Sequence, residues 1–268
     1  MGNLQTLPGT AIAFTEYEPK QAMAPDYILG QSEGGVIRSL PHRNGSCYLP
    51  KGDTHFGFVD RGRGLEVDVK GVQFSIPPGF YFSFPGPALI DVEEDVTGFM
   101  VSKPGYEGFV QTGLLEQQGR LRYINGCTDS LLISPIRLGD PCLNLLYFPA
   151  HIDQTMHTHP SDRIGMIVSG EGQCITEDER GITKTPLRPG MLFCIHTGGR
   201  HKFQTFGYDM RVLAFHPDSD FGPTDEDHPM INRTMVGGIS AAKLPELHTV
   251  DGATPPHTVE VKPKGKKK

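Results

Sequence analysis

No apolar run in this 268-residue sequence approaches the roughly 20 residues a membrane-spanning helix needs, so no such span is expected. The five cysteines, Cys47, Cys127, Cys142, Cys174 and Cys194, are odd in number and never spaced as CxxC. That pattern suits reduced thiols in a cytoplasmic protein better than a disulfide framework. The N-terminus lacks a charged segment followed by an apolar stretch, so no secretory signal is expected. Positive charge is scarce. The net charge is −6, and −11 for residues 1–261, because the closing KPKGKKK holds five lysines. So acidic a body lacks the broad cationic face that nucleic-acid binding needs, and the basic tail reads as a solvated segment. Long stretches of helical periodicity are also missing; short helices are expected only around Asp91–Asp95 and Ser240–Glu246.

What the chain has in quantity is punctuation: 33 glycines and 23 prolines, spread throughout. They cut it into short runs rich in Val, Ile, Phe and Tyr, such as GLEVDV, VQFSI, FYFSF, LNLLYF, GMIVSG, MLFCI and MRVLAF. Many short strands with dense turn signals predict an all-β sandwich or barrel. The pattern also echoes itself. FVDRGRG followed by GVQFSIPPGFYFSFPGPA corresponds to IVSGEG followed by LRPGMLFCIHTGGRH, each with a Gly-rich turn and then a Pro-Gly turn into an apolar strand. Two stacked barrels would produce such a repeat, with residues 103–122 as the connection.

The chemistry concentrates between His151 and Gly172 and around His201. His157 and His159 are two residues apart, which on a strand turns both imidazoles to one face. His201 follows 42 residues after His159. Three neutral imidazoles converging in a β-structure suit one divalent transition metal: Fe, Mn, Ni, Cu or Zn.

These residues resemble the cupin motifs. The first family motif, G-x5-HxH-x3,4-E-x6-G, is matched by His157, His159 and Gly170; the second, G-x5-PxG-x2-H-x3-N, by Gly190, Gly198 and His201, with His196 where the family has proline. The resemblance covers about residues 145–215 and implies a double-stranded β-helix, or jelly roll. With the internal echo it implies two cupin barrels in tandem: residues 1–120 a degenerate, metal-free barrel, 121–236 the metal-binding barrel, and 237–268 an extension ending in the basic tail. The first-half echo offers no comparable histidine set, and His55 there is expected to be structural; that barrel is expected to be structural or dimerising, in a homodimer.

One departure matters. Arg163 occupies the position of the family's ligand glutamate, and a guanidinium does not coordinate a metal. Three readings stay open: a three-histidine centre, Asp162 swinging in as a fourth ligand, or a lost metal site. Beside a metal, Arg163 would clamp a substrate carboxylate or enolate; on the surface it would pair with Asp162 or Asp178. His196 could orient a ligand or substrate. Gln154 lies an odd number of residues before His157 and is expected to face away; His151 would face inward only in an unbroken strand. The charged segment His216–Thr234 reads as a functional loop, with Asp225, Asp227 and His228 either a second metal site or a hydrogen-bonded turn.

Functionally, the resemblance implies a metal-dependent enzyme acting on a small, anionic substrate, with Fe(II) and O2 in a dioxygenase as the leading expectation. A non-redox isomerase, lyase or decarboxylase and a non-catalytic metabolite-binding cupin are the alternatives.

Overall fold

The short apolar runs form antiparallel strands in a computed structural model that describes residues 13–17, 28–32, 34–40, 45–92, 96–179 and 181–249. The basic tail lies outside the described residues. In chain order the strands are β1 (Phe14–Tyr17), β2 (Ile28–Ser32), β3 (Gly35–Ser39), β4 (Gly45–Leu49), β5 (Asp53–Arg61) and β6 (Leu65–Val69). Then come β7 (Val72–Ile76), β8 (Phe80–Pro85), β9 (Ala88–Val92), β10 (Thr97–Pro104), β11 (Gln111–Leu114) and β12 (Leu121–Arg122). β13 (Thr128–Ile133), β14 (Cys142–Phe148), β15 (Arg163–Asp178), β16 (Gly181–Leu187), β17 (Leu192–Ile195) and β18 (Arg200–His216) follow, and two short strands, β19 (Met235–Val236) and β20 (Ile239–Ser240), pair with each other near the end.

The first barrel has a larger sheet, β11-β8-β5-β10-β3-β2, and a smaller one, β4-β9-β6-β7. Strands β6 and β9 bury alternate residues, as half-solvated strands do. Phe82, Phe84, Ile90 and Val59 fill the space between the sheets. In the second barrel the path runs β1-β17-β15-β18-β14-β13-β12, with β16 paired to β15. Long strands β15 and β18 bend together where Gly170, at φ +76°, lets the backbone approach; a Cβ there would lie 1.9 Å from the Asp209 carbonyl oxygen.

The internal echo is structural. Gly79 and Gly190 both have φ of +84°, and each amide bonds back to an earlier strand: Gly79 N–H to the Val59 carbonyl at 2.7 Å, Gly190 N–H to the Ile167 carbonyl at 2.8 Å. The two Pro-Gly turns therefore perform the same task in each barrel, and the chain is two jelly rolls in tandem.

The barrels share a core in which Phe56, Phe58 and Phe99 of the first meet Leu143, Leu213 and Phe215 of the second. The rings of Phe56 and Phe215 lie 5.0 Å apart. A division at residue 120 does not hold at the start of the chain, because β1 pairs with β17, Phe14 opposite Ile195. The described residues up to Gly222 form one compact unit, and those from Pro223 a second. In the second unit, Asp227 accepts a hydrogen bond from Asn232 Nδ2 at 2.7 Å and its amide donates to Thr224 Oγ1, so this segment is a hydrogen-bonded turn leading into the helix Pro229–Arg233.

Two expected helices differ. Asp91 and Val92 end β9, and residues 93–95 lie outside the described set; the stretch after Ser240 forms two short 3-10 turns, Ala241–Lys243 and Pro245–Leu247. Among the described residues no helix is long and apolar enough to cross a membrane.

Candidate metal centre

His157 sits opposite His201 in an isolated antiparallel bridge, and their backbones exchange both hydrogen bonds, at 2.9 and 3.0 Å. The His159 carbonyl accepts from Gly198 N–H at 2.9 Å, tying the third histidine to the turn before His201. The three rings consequently cluster, with centroids 4.4 Å (157–201), 5.0 Å (157–159) and 5.1 Å (159–201) apart. Each offers a ring nitrogen within 4.8 Å of the other two.

The tautomers of two rings follow from their partners. His157 Nδ1 lies 2.8 Å from the Thr155 carbonyl, and His201 Nδ1 lies 2.9 Å from that of Gly199. A carbonyl only accepts, so each Nδ1 carries the proton and each Nε2 keeps its lone pair for a metal. Burial, followed by the nearby Arg163 charge and the other histidines, pushes the His159 pKa down to about 3. His201 is held at about 4, again chiefly by burial. A set of neutral, lone-pair-bearing imidazoles fits a borderline divalent metal.

The histidines open into a cavity of about 310 Å³ within the second barrel, walled by Phe148, Phe193, Ile195, Phe203 and Val212. It is an apolar chamber with a polar cluster at one wall, the usual form of a small-molecule site.

Solved structures share this architecture. A cupin 2 conserved barrel domain protein from Leptotrichia buccalis is 10% identical, with a TM-score of 0.54 over 78% of this chain and 91% of that one. The chain has the cupin fold. Protein Ylba from E. coli is similar at 16% identity and TM-score 0.54, covering 80% of this chain and 88% of that one. A salicylate 1,2-dioxygenase from Pseudaminobacter salicylatoxidans is similar at 12% identity and TM-score 0.51, covering 68% and 69% of the two chains. No family model matches this sequence, and no curated protein matches it either.

Where cupins place a glutamate, Arg163 enters the same cavity as the histidines. Its Nη1 donates to the Ser161 carbonyl and hydroxyl and to the Asp162 carbonyl, at 2.7–3.0 Å, while Nε is buried without a partner. It makes no ion pair with Asp162 or Asp178, so the surface-bridge alternative does not describe it. Asp162 is occupied elsewhere. Oδ1 accepts from the Thr197 amide (2.8 Å) and hydroxyl (3.0 Å), and Oδ2 from the Gly34 amide (3.3 Å). Burial would raise its pKa, yet hydrogen bonds from Ser32, Thr197 and Gly34 hold it below the ordinary carboxylate value. It clasps the two barrels together and stays apart from the three-histidine group.

His196 is not brought to this cavity. Phe193 and Ile195 point into it, so the alternation of β17 sends Cys194 and His196 to the other face. There His196 Nε2 is 2.8 Å from the Thr15 hydroxyl, and its ring nitrogen groups with Cys194 and Asp162. All five cysteines are buried and none forms a disulfide, and burial pushes the Cys142 and Cys194 thiols up to about 12. His55 of the first barrel is buried against Ser102 (2.8 Å), and burial lowers its pKa to about 4.

Sequence reasoning missed three wall residues. Gln154 lines the cavity, its Oε1 accepting from Phe203 N–H at 3.2 Å. Asp153 pairs with Gln204 and His157 with His201, so four residue steps on one side match three on the other, and the odd spacing no longer sends Gln154 outward. His151, at φ +62°, is exposed in the preceding turn. His216, at the end of β18, also lines the cavity; burial, then Arg163 and His159, holds its pKa well below 6.5. Asn144 donates to both Asp129 carboxylate oxygens, at 2.9 and 3.1 Å, and its own Oδ1 is buried without a partner. No motif marks these residues. Only the period-two pattern of β14, which puts Asn144 on the same face as Leu146 and Phe148, would have singled out Asn144.

Proposed function

We propose that this cupin is a metal-dependent enzyme, an Fe(II) dioxygenase acting on a small carboxylate or a phenolic or enolic substrate. The observation that carries the reading is the convergence of three imidazoles with Arg163 in one apolar cavity. His157, His159 and His201 would hold the metal through their ring nitrogens. When bound, Fe(II) supplies open coordination positions for an anionic substrate and O2.

The chain's own residues supply the rest. The Thr155 and Gly199 carbonyls orient two of the ligand rings. Phe148, Phe193 and Phe203 exclude water, which strengthens every electrostatic contact inside. Arg163, anchored through Nη1, offers its remaining N–H groups to a carboxylate or enolate. A donor set without a ligand carboxylate leaves the centre more positive, which also favours an anion. In keeping with this reading, a variant of the similar salicylate dioxygenase is solved in complex with gentisate, an organic acid.

The test is metal analysis of anaerobically purified protein together with O2 uptake on a panel of phenolic and enolic acids. One metal ion per chain, lost on His201→Ala, with substrate-dependent O2 consumption, is the expected result. Metal without O2 consumption would transfer the site to Lewis-acid chemistry, an isomerase, lyase or decarboxylase. A metal-free protein unaffected by His201→Ala would leave a metabolite-binding cupin.

A further inference from the structure

The metal-side cavity does not end at its polar wall. A second cavity of about 480 Å³ adjoins it, and Asp129, Asn144, Arg163, His216 and Asp220 line both. The order along the strands shows how the two chambers relate. On β14, Cys142 lines only the second chamber, Asn144 both, and Leu146 and Phe148 only the first. On β18, Val212 and Ala214 line the first and His216 both; on β13, Asp129 lines both and Leu131 only the second. Three adjacent strands therefore pass the same boundary, and the chambers follow one another along the barrel. The six steps from Cys142 to Phe148 span about 20 Å at the usual strand rise.

The chambers differ in character. The three histidines line only the inner one. The boundary is polar: Arg163, His216 and Asn144 lie on the neighbouring strands β15, β18 and β14, and Asp129 and Asp220 line it with them. The outer chamber is walled by Leu121, Leu131, Pro135, Pro160 and Phe221, with Asp218 and Ser219 also on its lining. Leu121 and Phe221 at its mouth are 56% and 63% exposed, although both are large apolar side chains. A two- or three-carbon acid held at Arg163 would stay within the inner chamber and leave Leu121 and Phe221 of the outer one facing water.

We infer that the substrate is an organic acid carrying an aryl or branched alkyl substituent. Its carboxylate meets Arg163 at the waist, its reacting end lies on the histidine side, and its apolar substituent fills the outer chamber. The inference rests on the metal-enzyme reading above for the reacting end, and on the outer chamber alone for the substituent.

Calorimetric titration of the metal-loaded, full-length protein with pyruvate and with phenylpyruvate tests it. Phenylpyruvate is expected to bind at least ~10-fold tighter, from burial of the ring in the outer chamber. Phe221→Ser, at an exposed position that the fold tolerates, and Leu131→Ser should each lower phenylpyruvate affinity about 5-fold or more and pyruvate affinity less than about 2-fold. Equal affinity for the two acids, a phenyl preference that survives both substitutions, or binding of neither acid overturns the inference and leaves the metal reading standing. Failure to load metal overturns the metal reading instead. The same titration of metal-free protein, with the same preference required, then decides the outer chamber.

Discussion

Asp162 and Arg163 are neighbours in sequence that face opposite tasks. The Asp162 carboxylate accepts hydrogen bonds from Thr197 of the second barrel and Gly34 of the first, while the Arg163 side chain enters the three-histidine cavity and bonds only to main-chain and hydroxyl oxygens. Successive strand side chains point to opposite faces, so one residue serves the interface and the next the site. The acid is kept from the metal position by the same geometry that brings the base to it.

Asp162→Asn should therefore lower stability and leave metal binding intact. The substitution replaces an acceptor-only carboxylate with an amide that cannot satisfy all three donors, a loss of about 1–3 kcal/mol. Thermal melts and metal stoichiometry measured on one preparation check it. A variant that folds normally and loses metal would return Asp162 to the ligand set.

Arg163→Gln should raise the KM for an anionic substrate by about 10- to 100-fold, the worth of a charge-assisted hydrogen bond, with metal content unchanged. Arg163→Lys should recover only part of this, because a point charge cannot make a two-point contact. His196→Ala, outside the cavity, should keep metal binding and change turnover far less than Arg163→Gln does. Steady-state kinetics of the three variants would show the ranking, and a His196 effect equal to that of Arg163 would contradict it.

The metal-free protein should lose stability as pH falls. His159, His201 and His55 have folded pKa values of about 3, 4 and 4, each depressed from 6.5 chiefly by burial. Between 6.5 and these values the unfolded chain binds more protons than the folded one. The histidines' contribution is thus whole above 6.5 and is lost as the pH drops toward about 4. Unfolding midpoints in urea at pH 7.5, 6, 5 and 4 should fall in that order; a flat profile would refute the burial of these rings.

His157→Ala and His201→Ala should each weaken metal affinity by more than ~100-fold, since losing a ligand costs more than losing a residue that orients one. The measurement is competition against a chelator of known affinity, with circular dichroism confirming that the β-structure survives. Retention of affinity in both would leave the rings as a hydrogen-bonded cluster.

The all-β character was legible in the sequence because glycine and proline set the turn positions and the apolar runs between them are too short for core helices. The tandem repeat was legible in its two Pro-Gly turns, which the structure shows making one and the same backbone hydrogen bond. The His157–His159 pair could be assigned to one face from its spacing alone. Counting by twos failed where the ladder is irregular: around Gln154, where four residue steps oppose three, and along β15 and β18, whose register shifts near Gly170. His196 could not be placed from its nearness to His201, because the end of β17 turns it toward Thr15.

The sequence by itself determined local matters: strand period, turn chemistry and the presence of three histidines at jelly-roll spacing, all of which depend on neighbours within a few residues. The tertiary structure alone decided which way Asp162 and Arg163 face, that β1 joins the second barrel, and that Asn144 and His216 meet Arg163 between two chambers. Those outcomes depend on strands dozens of residues apart being laid side by side, and on bulges that reset the face each side chain takes, neither of which a local pattern encodes.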